Sequence, residues 1–559
     1  MIIKKILLLF LTLNLFTVSN AFSETTEQSA PFDMISTGDP VLNDLRYLVL
    51  VTGRPFLSFT PPLSPGEVRY FLYTIDSSLL PTSAQAAYYR VLSRLTPSAN
   101  LSFSSGIFST FIEINSTLEG RLRFNREVRE FPRNPNISPF IAAPVRFHFG
   151  NTFQLFVEPS ITMRPDRYRL DRFDLNIPTY YFEFNDSQPL RFFAAAGGTW
   201  WNFQIGRDRL FWGTGHTGSL TFSDNSQYFD FARFSVFSSV FKYSFIVNQM
   251  PLTLSRDLFY PDNEIISSWW DNPANRKRSI HRYYYLQRID FTLFNRLSIG
   301  IMEGIMVGNS PLQLRYLNPL RVFHSLFAWE DYGSWYPPPS HQDWRPGDMI
   351  GSLLSLEVNW NIFGNLAFYG QFVMNEFASP GERRSDPNQP PNALGYMAGF
   401  QFARSFNSWT SIFFLEFIYT DPYLSILSSP FGSFIQQNRF GQFYYIGFTR
   451  DTIALTAGAN FFNSDFLFFS GFLSWISSGA FNRYGLIWNW ERTPGAFDET
   501  TPTGTAENQL ILSLGAGWRA LPWLTFNANI AGIVSINNNH IHGANALGGQ
   551  ASFSVRIQY

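Results

Sequence analysis

Gly213-Thr214-Gly215-His216-Thr217-Gly218 is a literal GxGxxG, a pattern that lets backbone turn tightly around a pyrophosphate. That chemistry has a structural condition. The glycines must follow a strand and open a helix, whose N-terminus then receives the phosphates. Here they run instead into Ser219-Leu220-Thr221-Phe222 and on towards Phe241, a stretch rich in Ser, Phe and β-branched residues with period-two alternation. Such a stretch reads as strand, so the nucleotide reading is rejected. The glycines are expected to shape a strand-to-strand crossing inside a larger sheet, because glycine allows close approach of backbone to backbone or to sugar.

Other reactive constellations are thin. The seven histidines, His148, His216, His281, His324, His341, His540 and His542, are scattered without HExxH spacing. His540-Ile541-His542 lies in a loop-like stretch and reads as solvated rather than metal-binding. No GxSxG marks a nucleophile elbow, and there is no cysteine, hence no thiol chemistry and no disulfide. The sequence therefore predicts no catalytic residue, no metal and no cofactor. A surface hydrolase would need a Ser–His or carboxylate pair converging in one pocket, which geometry alone reveals. Charge is more suggestive. Residues 120–172 hold Arg121, Arg123, Arg126, Arg129, Arg133, Arg146, Arg164, Arg167, Arg169 and Arg172 against only Glu127, Glu130, Glu158, Asp166 and Asp171. They read as internal ion pairs filling a lumen, or as an electropositive wall attracting acidic saccharides and other anions.

The elements that must position these residues follow from the chain's start and its composition. Lys4-Lys5, an apolar run from Ile6 to Val18, and small residues at Ser19 and Ala21 make a secretory signal peptide over residues 1–21. Its core is short for a helix spanning a bilayer about 30 Å thick. Charged residues are only 15% of the chain, yet aromatics reach 18%, with 61 Phe, 25 Tyr and 15 Trp. Mean hydropathy is −0.07, too polar for a helical membrane protein. An exported, aromatic-rich chain with alternation and no long apolar run fits an outer-membrane β-barrel. Such a location excludes nucleic acid as a partner.

Residues 22–98 differ from the rest and are expected to form a helical periplasmic domain. Asp39-Pro40 precedes Leu42, Leu45 and Leu48. Ser64-Pro65-Gly66-Glu67 is a capping box ahead of Val68, Phe71, Leu72 and Ile75. A second box is expected at Thr82. From residue 99 the period becomes two. Leu122 and Phe124 alternate with Arg121 and Arg123; Val145, Phe147 and Phe149 with Arg146 and His148; Leu354, Leu356 and Val358 with Glu357 and Asn359. In a barrel the apolar set faces lipid and the polar set the lumen. Short turns are expected at Phe294-Asn295-Arg296, Phe363-Gly364-Asn365, Phe406-Asn407-Ser408 and Arg450-Asp451, and long polar loops near 250–282, 308–350, 378–393, 420–440 and 491–507. The expectation is an all-β transmembrane barrel of about 18 antiparallel strands over residues 99–559. Ser552 to Tyr559 closes the chain as an amphipathic strand ending in an aromatic residue, which resembles the signal read by the barrel-assembly machinery. Glu303 breaks the pattern, since it shares a register with Leu297, Ile299 and Ile301. Either a bulge reverses that strand or it leaves the membrane there.

Three stretches carry a family resemblance. They are residues 39–72, residues 206–225 (Gly-Arg-Asp-Arg-Leu-Phe-Trp-Gly-Thr-Gly and onward), and Leu312-Gln-Leu-Arg-Tyr-Leu-Asn-Pro-Leu320 followed by 366–377. Together they resemble the Wzi-like capsule-assembly outer-membrane proteins. The resemblance implies a small helical N-terminal domain, a barrel, and binding or anchoring of surface or capsular polysaccharide without catalysis. Outer-membrane lipids surround such a barrel. Trp212, Gly213, Gly215, Gly218, Ser219 and Leu220 belong to the family's tight glycine motif. Arg207, Trp212, Asp224 and Asn225 become the candidate glycan contacts, on the expectation that a wet lumen leaves them available. The tyrosine- and tryptophan-rich stretches 267–285 and 327–339 offer flat faces for sugar stacking or simple loop packing. A porin or substrate-specific channel with anion preference is the alternative.

Overall fold

The computed structural model describes residues 31–559 except 100, 126, 129–137, 164–172, 179–181, 185–190, 224–227, 254–278, 309, 320, 324–349, 378–390, 407–408, 428–430, 438–442, 464–465 and 481–499. The signal peptide, Asp224, Asn225, His324, His341, seven of the ten arginines and most of both aromatic stretches lie outside the described residues.

Among the described residues period-two alternation becomes a 24-stranded antiparallel sheet, in which collinear pieces join into eighteen successive staves while Leu101–Ser105 and Phe173–Leu175 pair onto the first of them. The first four are broken: β1 (Phe108–Ile112, Asn115–Arg123), β2 (Ile141–Ala142, Val145–Phe149), β3 (Phe153–Glu158, Ser160–Met163) and β4 (Phe182–Phe184, Arg191–Gly197). Then come β5 (Trp201–Asp208), β6 (Phe229–Phe237), β7 (Phe241–Gln249), β8 (Arg282–Leu293), β9 (Leu297–Gly308), β10 (Ile350–Phe363) and β11 (Leu366–Glu376). The ring continues through β12 (Ala393–Phe406), β13 (Trp409–Thr420), β14 (Thr452–Asn463), β15 (Leu467–Ser478), β16 (Glu507–Leu521), β17 (Leu524–Ile536) and β18 (Ala546–Gln558). Each stave pairs with the next, and β18 pairs back onto β1 from Gln550↔Arg123 to Gln558↔Asn115. That pairing closes the sheet into a barrel and removes its edges.

Alternation sorts the two faces as expected. Ile205, Phe234, Ile301, Leu356, Leu415, Leu512, Ile530 and Phe553 are exposed on the outside, while Glu357, Glu416, Ser474 and Gln509 are buried within. No described helix is long and apolar enough to cross a membrane; the chain crosses with strands. Trp200, Trp360, Trp518 and Trp523 are exposed near the short turns, where an interfacial aromatic belt belongs. The connections Phe294-Asn295-Arg296 and Phe363-Gly364-Asn365 are tight, with positive φ at Phe294, Asn295 and Asn365. Arg450-Asp451 is not such a turn. It ends a long excursion from β13 to β14 at the opposite rim, where Thr420 pairs with Thr452.

Among the described residues three α-helices precede the barrel: α1 (Val41–Thr52), α2 (Pro65–Tyr73) and α3 (Thr82–Arg94). The capping box of α2 forms as the sequence requires, Ser64 and Glu67 satisfying each other's backbone N–H. At α1 the Asp39 carboxylate accepts from Val41 N at 3.1 Å. The box expected at Thr82 is absent, because Thr82 already lies inside α3 and Pro81 takes the capping position without a side-chain bond. Leu45, Leu48, Val68, Leu72 and Val91 form a core that continues into Ala367, Ala403 and Ile412 of the barrel wall.

Docking is polar as well as apolar. Glu67 pairs with Lys242 of β7, accepts from Asn202 of β5 at 3.0 Å, and both charged groups are buried. Arg233 of β6 donates to the carbonyls of Thr60 at 3.2 Å and Pro62 at 2.6 Å. Burial alone would raise the Glu67 carboxyl, but Lys242 and Arg233 beside it hold it below the usual carboxylate range.

No bulge reverses the strand at Glu303. β9 pairs with β8 and β10 in unbroken register through Glu303, so its side chain does point outward. Residues 310–323 fold back over the outside of β7, β8 and β9 and cover it. Phe323 N donates to Glu303 at 3.1 Å, and Gln287 bridges Glu303 to the carbonyl of Arg321.

Candidate binding site in the lumen

Between β5 and β6 the chain leaves the sheet at Arg209 and turns into the barrel. Trp212 N donates to Phe222 O at 3.0 Å, and the two residues form an isolated antiparallel bridge that pinches the glycine segment into a loop. Gly213 sits at φ +143, which favours glycine, and a Cβ at Gly215 would collide with the carbonyl oxygen of Gly218. Among the described residues after the glycines a strand follows rather than a helix.

The segment does cradle an anion, and the anion is the protein's own. Glu416, aimed inward from β13, accepts from His216 N at 2.8 Å, Thr217 N at 3.1 Å and the Thr217 hydroxyl. Tyr369 of β11 donates to the same carboxylate at 2.7 Å. Arg46 of α1 donates to the carbonyls of Thr214 at 2.9 Å and Gly215 at 3.2 Å. Gln371 of β11 accepts from Leu220 N at 2.6 Å, and Ser219 Oγ donates to the Trp212 carbonyl. The glycine loop is thus bolted to the wall on one side and to the helical domain on the other. His216 stacks flat on Phe414, centroids 4.2 Å apart. Burial, with Arg46 beside it, pushes the imidazole down to about 3, so it stays neutral.

This geometry corrects two of the candidate contacts. Trp212 is fully buried, its ring edge-on to Phe222 at 5.1 Å, and serves as core. Arg207 follows Trp201, Phe203 and Ile205 on the outward face of β5, where it makes a bidentate pair with Asp230 at 2.8 and 2.6 Å. It does not enter the lumen. The Trp212 expectation failed because the glycine stretch is a packed insert rather than a wet wall, and the Arg207 expectation because its register on β5 points outward. Glu416, Gln371 and Arg46 were missed. The inward register of Glu416, between outward Leu415 and Phe417, was visible in the sequence; its partners two hundred residues away were not.

The described residues of 421–451 form a second insert, which meets the first. Ser223 N donates to Ile446 O at 2.8 Å, and Arg282 of β8 holds the insert through the carbonyls of Ser433 and Ile435. Across the lumen, the inward faces of β14 to β18 and β1 mix small and polar side chains with Phe462, Phe468 and Phe472. A cavity of about 280 Å³ is lined there by Arg121, Ser470, Ser513, Asn529, Gln550 and Ser552. One step along the same strands, Asn460, Gly517 and Asn527 face Asp44, Arg46 and Arg90 across a second cavity of about 700 Å³. Towards the long-loop rim the wall turns apolar. Ile418, Ala454, Ile476, Ile511 and Ile533 form a belt packed with Leu220, Phe448 and Val128. Of the three described arginines in the basic segment, Arg121 bonds Glu119 at 2.6 Å and Arg146 pairs with Glu113 and Asp33.

Comparison with known proteins agrees with this architecture. The family model described as capsule assembly protein Wzi matches residues 141–449. Among solved structures the chain is similar to Wzi of Escherichia coli, an outer-membrane protein involved in group 1 capsule assembly and described as a carbohydrate-binding β-barrel. The TM-score is 0.54 at 14% identity, covering 93% of this chain and 98% of that one. Pseudomonas aeruginosa OccD3 gives a TM-score of 0.40 at 7% identity over 80% and 91% of the two chains. OpdK from the same organism gives 0.39 at 10% over 80% and 98%. None of the curated proteins matches the chain. An eighteen-stave outer-membrane barrel, its lumen occupied by a glycine-motif insert, is matched over more than half its length by one family model, and the chain belongs to the Wzi capsule-assembly family.

Proposed function

We propose that this protein holds surface polysaccharide at the outer membrane as a lectin-like, non-catalytic barrel, with residues 22–98 as a periplasmic domain. One observation carries the reading: away from the inserts, a cavity is lined by Arg121, Ser470, Ser513, Asn529, Gln550 and Ser552 beside Phe472 and Leu514. Small hydroxyl and amide groups facing a cavity suit sugar hydroxyls, each able to donate and accept. Support for the absence of catalysis comes from His216, whose imidazole is stacked, buried and neutral. The aromatic stretches 267–285 and 327–339 complete the proposed glycan surface, and Asp224 and Asn225 remain candidate contacts within it.

The test is polysaccharide partition between cell and medium in a deletion strain, at unchanged total synthesis. Release of glycan into the medium on deletion, restored by the parent gene but not by Ser513→Leu/Asn529→Leu, supports the reading; unchanged attachment refutes it. A channel is the second reading, favoured by the two cavities lying along the same strands.

A further inference from the structure

The segment 310–323 lies on the outside of a membrane barrel, a place where irregular backbone is not tolerated unless its polar groups are satisfied. The barrel satisfies them. Tyr285 OH accepts from Gln313 N at 2.9 Å, and Glu303 accepts from Phe323 N. Gln287 donates to the Arg321 carbonyl, and Tyr243 OH to that of Pro319 at 3.5 Å. Tyr316 and Phe323 are buried against Tyr285, Ile305 and Val307. Four outward polar side chains in a lipid-facing wall thus serve one strap, which is therefore a built feature of the barrel exterior.

Its outer surface has a definite chemistry. Leu312, Leu314 and Val322 are exposed, Leu314 at 77%. Between them the guanidiniums of Arg315 and Arg321 both stack on the Tyr316 ring, at 4.7 and 5.3 Å. Arg315 also donates to Gln313 and to the Tyr316 hydroxyl, both neutral partners that fix the fork without neutralising it. Cations on a lipid-facing surface are costly, less so near the interface. Tyr285 and Ile305 lie in the halves of β8 and β9 nearer the long loops, so the strap sits towards the outer leaflet.

We propose that this strap is a lipid-recognition site, in which Arg315 takes a phosphate of an outer-leaflet glycolipid while its acyl chains lie along Leu312, Leu314 and Val322. Planar guanidiniums pair with phosphate through two parallel hydrogen bonds, and the flanking apolar side chains match the rest of such a lipid. A second copy fits worse. A two-fold interface is self-complementary and would have to supply a carboxylate for Arg315 from this same face, where Gln313 and the Tyr316 hydroxyl are its described partners.

The test uses the full-length protein in neutral detergent and measures binding by native mass spectrometry, with the temperature of barrel unfolding in parallel. The probes are lipid A 1,4′-bisphosphate, the same lipid without phosphates, and inorganic phosphate. The bisphosphate lipid is expected to bind and to raise the unfolding temperature, the other two to do neither. Arg315→Gln is expected to weaken binding at least about tenfold, with Arg315→Lys intermediate. Should the arginine variants fold poorly, Leu314→Glu, at the most exposed of these apolar positions, must also lose lipid while the barrel still folds. Equal binding of the phosphate-free lipid, or unchanged affinity in the variants, overturns the proposal. So does inorganic phosphate binding as well as the lipid, or lipid-independent cross-linking of copies through Leu314→Cys.

Discussion

At the scale of single residues, His216 reports whether the glycine insert is packed as described. Its pKa is near 3 when folded and about 6.5 when unfolded, so the unfolded chain binds the extra proton first. Stability is then full above about pH 6.5 and falls as the pH drops towards 3, by at most ~1.4 kcal/mol per unit. His216→Gln cannot titrate and is expected to flatten that part of the profile, read from unfolding temperature between pH 7 and 4. An unchanged slope would mean the imidazole is not buried. His216 also shows what one position in a sequence can disclose. The GxGxxG was legible, and among the described residues after it a strand follows rather than a helix. The carboxylate it cradles was illegible, because Glu416 is supplied by a strand whose insertion angle no local pattern records. Trp212 was misjudged for the opposite reason: a Trp beside glycines looks accessible until a second insert packs over it.

At the scale of elements, the sequence spoke most clearly where periodicity alone decides. The α2 box and the inward–outward sorting of Leu356 and Glu357 needed no partner to be read. The inserts needed one, since 421–451 enters the lumen only because the neighbouring segment leaves carbonyls and apolar faces to meet it. The strap over Glu303 was hidden for a similar reason: alternation shows that a carboxylate faces outward, and only the fold shows what covers it. How firmly the helical domain is held is testable at Glu67. Removing one partner of a buried, hydrogen-bonded ion pair costs about 3–5 kcal/mol, so Glu67→Ala is expected to loosen α2 from the wall. Limited proteolysis should then cleave between α2 and α3 at least tenfold faster, with the barrel itself left resistant. Equal cleavage rates in parent and variant would mean that the apolar core alone fixes the domain.

The whole molecule is a barrel partly filled by inserts, crossed near its long-loop rim by an apolar belt. Hydrophobic constrictions in pores gate by dewetting. The parent is therefore expected to show no steady conductance in planar bilayers, and Ile511→Ser/Ile533→Ser to admit small ions continuously. A silent double variant would place the seal elsewhere; a conducting parent would favour the channel reading over retention.

The pairing of β18 with β1 joins the two extremes of the chain, with Asn125 Nδ2 donating to the Leu547 carbonyl across 422 residues of sequence. Nothing synthesised early can therefore finish early. The first stave keeps an unpaired margin until the last one arrives, and contacts between such distant parts form slowly. The helices and both inserts must meanwhile find their places against an arc that is still open, since they end up enclosed by a wall completed after them. Time, rather than strength, is the scarce quantity in this design: every moment between export and closure leaves a sticky seam, and the chain depends on whatever guards that seam until its final tyrosine is in place.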